Sequence, residues 1–192
     1  TSGFNIGTNY SLSPEFNEMV GFTEEEVRQM LAYYASVLPF RHSVDELIEV
    51  MKPWYGNYCF DNSECGMAII YNPAMVLNFV DNYIQSNYEI PKKPCEVISS
   101  TDHEIVRQLI RYAKEFAHDS SIIEDIMTKG FALGYLLDIF PATSINTPDG
   151  ILSLLFNLGM VTIDGTYQSY TRFVISNEAA RNQMNTLINY GE

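Results

Sequence analysis

The chain has 192 residues, of which 46% are apolar and 18% are charged, and its formal net charge at pH 7 is −13. This composition excludes an intrinsically disordered protein and predicts a chain that buries a hydrophobic core. The negative charge argues against general attraction to nucleic acid, which requires lysine and arginine to displace counterions from the phosphates.

The apolar stretches and the cysteines bear on membrane association and on the redox state of the compartment. The longest apolar stretches, such as Gly130–Leu137 and Ile151–Leu158, are well short of the roughly 18 to 20 residues that cross a bilayer, so no membrane association is predicted. The three cysteines form no CxxC pair and lack zinc-ligand spacing to the histidines. We therefore expect free thiols in a reducing cytoplasm and no metal site. Because the chain begins at Thr1 without a secretory leader, we interpret it as part of a longer protein.

Two amphipathic helices are predicted near the start of the chain. Thr23 with Glu26, and Ser43 with Glu46, have the spacing of capping boxes, in which the first side chain caps the helix and the glutamate bonds back. Apolar residues at helical spacing follow both pairs. The second helix is expected to end at Pro53, because proline removes a backbone donor.

A β-hairpin is predicted between Tyr58 and Tyr71, since short β-favouring runs flank the polar segment Asp61–Glu64. Pro73 then has the position of a first-turn proline in a third helix. The apolar face of that helix is predicted to consist of Val76, Leu77, Val80 and Ile84. The proline- and lysine-containing segment Asn87–Pro94 is predicted to be a linker that separates a domain of residues 1–94 from a domain of residues 95–192.

Three further helices are predicted in the second domain. The first runs from Asp102 to Ala113, the next follows Ser120 or Ser121, and the third spans Asp149–Leu158 and ends at Gly159.

A two-stranded ribbon and a last helix follow. The ribbon pairs Met160–Ile163 with part of Thr166–Ile175 around a turn at Asp164-Gly165, and the helix spans Glu178–Ile188. Helices followed by a ribbon have the order of a winged helix. The predicted fold class is therefore mainly α, a helical lid-like bundle with a small β-hairpin followed by a winged-helix subdomain.

No complete catalytic motif is present in the sequence. A GxxxxGK[ST] loop, which would hold a triphosphate through its backbone amides, does not occur. The three histidines lie in polar sequence and form no recognisable nucleophile–base set. We predict no catalytic residue and no ATP hydrolysis by this chain alone.

Three clusters of aromatic and turn residues stand out instead. The first is Trp54–Phe60, with four aromatic residues around Gly56-Asn57, and the second is Tyr71-Asn72-Pro73. The third is Leu154–Ile163, which continues towards Val174–Glu178. Aromatic residues near a turn are usually core, and a surface that faces a ligand is the other interpretation.

Together these clusters resemble the predicted AAA-ATPase-like family of gut bacteria and other anaerobes, which often has a PD-(D/E)xK nuclease-like domain downstream. Gly21–Val27 matches the family's GFTEEEV, and Trp54-Tyr55, Tyr58 and Phe60 match its WYDGYRF. Tyr71–Pro73 and Val76–Asn78 match its YNPWSVLN. Leu154–Phe156, Gly159 and Thr162 match its LLFxxGYLT. The chain departs from the family where Gly56-Asn57 replaces Asp-Gly, Cys59 replaces arginine and Ala74 replaces an aromatic residue.

The resemblance implies that the chain is the lid and winged-helix part of a larger protein whose phosphate-binding loop lies upstream. ATP and magnesium would then bind to the parent protein and not to this chain alone. By analogy, Asn72, Pro73 and Tyr71 are expected close to the nucleotide. The expected structural support for that turn consists of Trp54, Tyr55, Tyr58 and Phe60.

The implied function is regulatory, the coupling of nucleotide state in an upstream ATPase core to a downstream effector domain. One alternative is a winged-helix nucleic-acid-binding module, although the chain from Pro148 onward has four acidic residues and only two basic ones. The other alternative is a protein–protein interaction module that docks a partner through exposed aromatic side chains.

Overall fold

The computed structural model of the protein describes residues 18–19, 21–60, 69–92, 121–137 and 147–189. In these ranges the chain is mainly helical, with two small antiparallel sheets. The helices found there are all too short or too polar to span a membrane. The predicted helix from Asp102 to Ala113 and the predicted domain boundary at residue 94 lie outside the described residues.

The elements follow one another in the order β1-α1-α2-β2-α3-α4-β3-α5-β4-β5-α6. The helices are α1 (Glu24–Val37), α2 (Val44–Tyr55), α3 (Pro73–Gln85), α4 (Ser121–Lys129), α5 (Pro148–Asn157) and α6 (Glu178–Asn189). The strands are β1 (Phe22–Thr23), β2 (Ile70–Tyr71), β3 (Ala132–Gly134), β4 (Val161–Tyr167) and β5 (Tyr170–Ile175).

Both predicted capping boxes are confirmed. Thr23 accepts a hydrogen bond from the Glu26 amide at 3.2 Å, and the Glu26 carboxylate accepts one from the Thr23 amide at 2.8 Å. Ser43 and Glu46 repeat this geometry at the start of α2. The expectation that α2 ends at Pro53 is wrong, because the helix continues to Tyr55. Proline in the last turn leaves the earlier hydrogen bonds of the helix intact, so its effect there is small.

The predicted hairpin between Tyr58 and Tyr71 takes a different form. Strand β2 pairs with β1, with Phe22 opposite Tyr71, while Tyr58 makes only an isolated antiparallel bridge to Ile70. The predicted tip, Asp61–Glu64, lies outside the described residues. The strand partner of β2 therefore comes from the residues before α1, a non-local pairing that hairpin signals do not reveal.

The first hydrophobic core lies between α1, α2, α3 and β2. Its buried residues are Val27, Leu31, Leu47, Ile48, Met51, Tyr55, Tyr71, Val76, Phe79, Val80 and Tyr83. The predicted apolar face of α3 was wrong in part, since Leu77 is 48% exposed and Phe79 and Tyr83 fill the core instead. The Tyr83 hydroxyl also reaches the loop before α2, where it accepts hydrogen bonds from the Arg41 and His42 amides at 3.2 Å.

The second hydrophobic core lies between the three-stranded sheet and helices α4, α5 and α6. The sheet has the strand order β3-β5-β4, and β3 was not predicted. The largest fully buried side chains of this core are Ile126, Leu152, Leu155 and Phe173.

The predicted pairing of β4 with β5 is confirmed, with Val161 opposite Ile175. The predicted turn at Asp164-Gly165 is wrong, because the chain reverses at Gln168-Ser169, where both residues have left-handed φ angles of 48° and 75°. Such angles match the twist of a two-residue hairpin turn. Asp164-Gly165 instead forms a β-bulge between Ile163 and Thr166.

Helix α5 ends as predicted at Gly159, whose φ is 69°. The Gly159 amide donates to the Phe156 carbonyl, and the Met160 amide donates to the Leu155 carbonyl, both at 2.9 Å. These two bonds form a Schellman motif, which turns the chain directly into β4.

Candidate functional site

The two cores meet through the residues that leave α2, Gly56–Phe60, which we call the junction segment. Asn57 has a φ of 68°, a left-handed conformation that asparagine tolerates better than most residues. This bend redirects the chain from the first core towards β4. Helix α6 also packs on α2, so the junction segment lies beside a direct contact between helices of the two cores.

A threonine hydroxyl joins the junction segment to β4. The Cys59 amide donates to Thr162 Oγ1 at 2.7 Å, and Thr162 Oγ1 donates to the Cys59 carbonyl at 2.9 Å. The Ile163 amide reaches the same carbonyl at 3.4 Å. Thr162 is only 4% exposed, so its hydroxyl satisfies backbone groups that water does not reach easily.

Asn177 forms a second link, at the start of α6. Its Oδ1 accepts from the Ala180 amide at 3.0 Å, which caps α6, and its Nδ2 donates to the Gly56 carbonyl at 3.1 Å. The residue is 6% exposed. One buried amide side chain therefore fixes both the end of α2 and the beginning of α6.

Tyr58 occupies the centre of this site. Burial raises the pKa of its phenol, and hydrogen bonds with the side chains of Asn177 and Asn72 oppose that rise. A Cβ placed on Gly159 would lie 3.3 Å from the Tyr58 ring, so glycine allows the close approach of α5 to this tyrosine. Each of the three clusters noted in the sequence thus contributes a residue here.

Phe60 extends the contact into the second core. Its ring stacks on Tyr58 with a centroid distance of 6.3 Å and meets Phe156 edge-on at 5.9 Å. Aromatic pairs in these arrangements stabilise packing beyond the area that they bury. Phe60 therefore packs the junction segment against the second core.

The predicted nucleotide-proximal residues lie at the start of α3. Asn72 is its N-cap and accepts from the Met75 amide at 3.2 Å, while its own amide donates to the Tyr55 carbonyl at 3.1 Å. Asn72 and Pro73 are half-buried, and Pro73 occupies the first helical turn. Tyr71 is fully buried, so any contact with a ligand would run through its neighbours.

Trp54 and Tyr55 differ in their burial. Tyr55 is 2% exposed and meets Phe79 edge-on in the first core. Trp54 is only half-buried and packs at the edge of the same core. Trp54 therefore lies at the edge of the first core, and the tyrosine at the next helical position points into it.

A cluster of charges beside Tyr71 was missed in the sequence. Glu24 accepts from Arg28 at 3.0 Å, from Lys52 at 3.3 Å and from the Tyr71 hydroxyl at 3.4 Å. Burial opposes ionisation of Glu24, but the bonds from Arg28 and Lys52 prevail and lower its pKa. Burial and the neighbouring Glu24 carboxylate raise the pKa of Tyr71. The i,i+4 spacing of Glu24 and Arg28 was the only feature of the sequence that pointed to this charge cluster.

An open cleft of about 260 Å³ lies beside the junction segment. Its lining includes Asn57, Ile69, Asp164, Val174 and Ser176. The described lining contains no lysine or arginine, so the cleft lacks the positive charge that nucleotide phosphates require. Among the described residues, no three histidine, cysteine, aspartate or glutamate side chains are placed to share a metal ion.

Comparison with known proteins adds no identification. The chain matches no family model, no curated protein and no solved structure.

One expectation about the cysteines is wrong. Cys59 is disulfide-bonded, whereas the spacing of the cysteines predicted free thiols. A disulfide depends on the spatial approach of two side chains, which spacing along the sequence does not reveal. Cys65 and Cys95 lie outside the described residues.

Proposed function

We propose that this chain is the non-catalytic lid and winged-helix module of an AAA-ATPase-like protein. In this proposal it closes on an upstream ATPase core, which binds ATP and magnesium, and it passes the nucleotide state to an effector such as a nuclease-like domain. The observation that supports this most directly is the position of Tyr58, a buried phenol whose pKa responds to the side chains of both Asn72 and Asn177.

Tyr58 connects the ends of two helices that belong to different cores. Asn72 caps α3 in the first core, and Asn177 caps α6 in the second. A ligand that drew the Asn72 side chain towards itself would weaken its interaction with Tyr58. The start of α6 would then lose part of its support, which is a direct route from a nucleotide to the second core.

The winged-helix part of the proposal is supported by the order of elements. Helix α4, strand β3, helix α5 and the β4–β5 ribbon follow one another, and β5 lies between β3 and β4 in the sheet. In a winged helix the helix before the ribbon reads nucleic acid, and α5 has that position.

Helix α5 is poorly suited to enter a DNA groove. Every residue from Gly150 to Phe156 is buried, and the helix contains no lysine or arginine. A helix that is apolar on all sides belongs inside a protein. This burial makes α5 the central packing element of the second core. It weakens the nucleic-acid-binding alternative, which needs α5 to be exposed.

A cytoplasmic location is also part of this proposal, and the disulfide at Cys59 argues against it. Disulfides are rare where glutathione and thioredoxin keep thiols reduced. Rapid alkylation of the protein in intact cells, followed by mass spectrometry of the peptide that contains Cys59, distinguishes the two cases. An alkylated Cys59 supports the cytoplasm, and a protected Cys59 contradicts it.

Substitution of Asn72 in the full-length protein tests the nucleotide contact. We expect Asn72→Ala to weaken MgATP binding about tenfold, the effect of losing roughly one hydrogen bond to a ligand. Asn82→Ala is the matched control. Asn82 is a half-buried asparagine in α3, and its side chain donates a hydrogen bond to the Asn78 side chain at 2.6 Å. Calorimetric titration gives the affinities, and equal affinities of folded Asn72→Ala and wild type would refute the contact.

The coupling step has its own variant. Tyr58→Phe keeps the ring and removes the hydroxyl that Asn72 and Asn177 share. We expect nearly unchanged MgATP affinity and a smaller effect of ATP on hydrogen exchange in α6. An undiminished effect of ATP on α6 would contradict the proposed route.

A further inference from the structure

Three exposed tyrosines lie together at one end of the three-stranded sheet. Tyr135, Tyr167 and Tyr170, which we call the tyrosine patch, are 48%, 56% and 42% exposed. Tyr167 and Tyr170 face each other across the turn between β4 and β5. The ring centroids of Tyr135 and Tyr170 are 4.9 Å apart, so the residues after β3 complete the patch.

A carboxylate is fixed at the backbone of the patch. Asp149, in the first turn of α5, accepts a hydrogen bond from the Tyr135 amide at 2.8 Å. The basic residue on the same part of the sheet, Arg172, is ion-paired with Asp164 and lies over the Phe131 ring at 4.9 Å. The patch therefore combines exposed aromatic side chains with a carboxylate bonded to its backbone.

This combination favours a cationic ligand. The faces of aromatic rings carry negative potential and attract guanidinium groups, which also stack on them. Arg172 over Phe131 shows the same interaction inside the protein. The formal net charge of −13 attracts basic segments from a distance, and it repels both nucleic acid and a second copy of the chain.

We propose that the tyrosine patch is a docking surface for an arginine-containing segment of a partner protein. Tyrosine is enriched at protein interfaces because it offers a large contact area with few rotatable bonds. The arginine side chains would stack on Tyr135 and Tyr170, and Asp149 would add to the negative potential around the patch. The patch lies on a different part of the second core from the junction segment, and its binding does not depend on a nucleotide.

The test is a titration of the whole chain with a fluorescent peptide of alternating arginine and glycine at about 150 mM salt, where distant charges are screened. Matched peptides have lysine or glutamate in place of arginine. We expect the arginine peptide to bind several-fold more tightly than the lysine peptide, since guanidinium stacks better than ammonium. The glutamate peptide should not bind.

Variants locate the binding to the patch. We expect Tyr170→Ser and Tyr135→Ser each to weaken binding of the arginine peptide about fivefold. Asp149→Asn, which keeps an acceptor for the Tyr135 amide, should weaken it by a smaller factor. Tyr33→Ser is the control, because Tyr33 is 66% exposed on α1 and lies outside the patch.

Two results would overturn the proposal. Equal binding by Tyr170→Ser, Tyr33→Ser and wild type would show that the peptide responds to the general charge of the chain. Preferential binding of an oligothymidine strand, lost in Tyr170→Ser, would identify the patch as a base-stacking surface instead. Thermal melts of the same variants check that these exposed substitutions leave the fold intact.

Discussion

The side-chain hydroxyl of Thr162 bonds to the backbone of Cys59 in the way that the backbone of a paired strand would. It both accepts from the Cys59 amide and donates to the Cys59 carbonyl, at a position that is 4% exposed. Removing the hydroxyl while keeping the shape leaves a buried amide without its partner, and such groups cost about 1 to 3 kcal/mol. We expect Thr162→Val to lower the free energy of unfolding by about that amount in urea denaturation.

The control for this prediction keeps the hydroxyl and removes only a methyl group. Thr162→Ser should remain within about 1 kcal/mol of the wild type, close to the value of one buried methylene. A Thr162→Val protein as stable as the wild type would mean that water takes over the amide, and that the hydroxyl does not hold the two cores together.

The different burial of Trp54 and Tyr55 gives a second prediction. Tyr55 is 2% exposed between α2 and α3, whereas Trp54 is half-buried. Full loss of a buried aromatic side chain costs about 3 to 5 kcal/mol, and a half-buried one about half of that. Thermal melts should therefore show a larger drop for Tyr55→Ala than for Trp54→Ala. The reverse order would show that the tryptophan is the true anchor of the turn.

At the level of elements, the signals that act over a few residues were readable in the sequence. The capping boxes of α1 and α2, the first-turn proline of α3 and the glycine that ends α5 each act within about one helical turn. The ribbon was also predictable, because β4 and β5 are neighbours along the chain. These features require no knowledge of the rest of the fold.

Elements that depend on distant partners were missed. Strand β3 is only three residues long and is defined by its pairing with β5, with Ala132 opposite Phe173. Strand β2 likewise depends on β1. The turn was misplaced because Asp164-Gly165 is a strong hairpin signal, while the register of the buried side chains places the reversal at Gln168-Ser169.

The same distinction applies to the site. The sequence singled out Tyr58, Asn72 and Thr162 as unusual, and their meeting depends on contacts such as Cys59 to Thr162, which lie 103 positions apart. Asn177 belonged to a noted segment, but no local pattern predicted that its side chain would reach Gly56. Long-range hydrogen bonds need the fold before they can be assigned.

The capping boxes also make helix stability sensitive to acid. Bonds from the Thr23 backbone and hydroxyl lower the pKa of Glu26, although slight burial opposes this shift. A lowered folded-state pKa adds stability above the unfolded value of about 4.3, and that stability is lost as the pH falls through the folded-state pKa. We expect the wild type to exceed Glu26→Gln in stability at pH 7, with a gap that shrinks below about pH 4.

Urea denaturation of both proteins between pH 7 and pH 3 measures this gap. Glu25→Gln is the matched control, because Glu25 lies next to Glu26 in the first turn of α1 and accepts from the Gln29 side chain instead of capping the helix. A gap between wild type and Glu26→Gln that stays constant over this range would show that the capping bond does not depend on the charge.

At the scale of the whole molecule, both cores depend on a few buried polar side chains at their contact. The Cys59–Thr162 and Gly56–Asn177 bonds all join the junction segment to β4 or α6. Buried polar contacts of this kind fix one arrangement of two apolar surfaces, because a shift would leave their groups unpaired. The apolar cores alone would not specify such a defined arrangement.

The charge of the whole molecule gives the last prediction, weak or absent binding of double-stranded DNA. The formal net charge is −13, and helix α5, which would be the recognition helix of the proposed winged helix, is buried from Gly150 to Phe156. Specific DNA-binding modules contact several phosphates through lysine and arginine before any base is read. Titration of labelled duplex at about 150 mM salt should therefore give no saturation below roughly 10⁻⁴ M, the weak end of non-specific binding. Sub-micromolar affinity that falls steeply with rising salt would instead show that basic side chains form a phosphate-binding surface, and it would make the winged-helix nucleic-acid-binding module the better description of this protein.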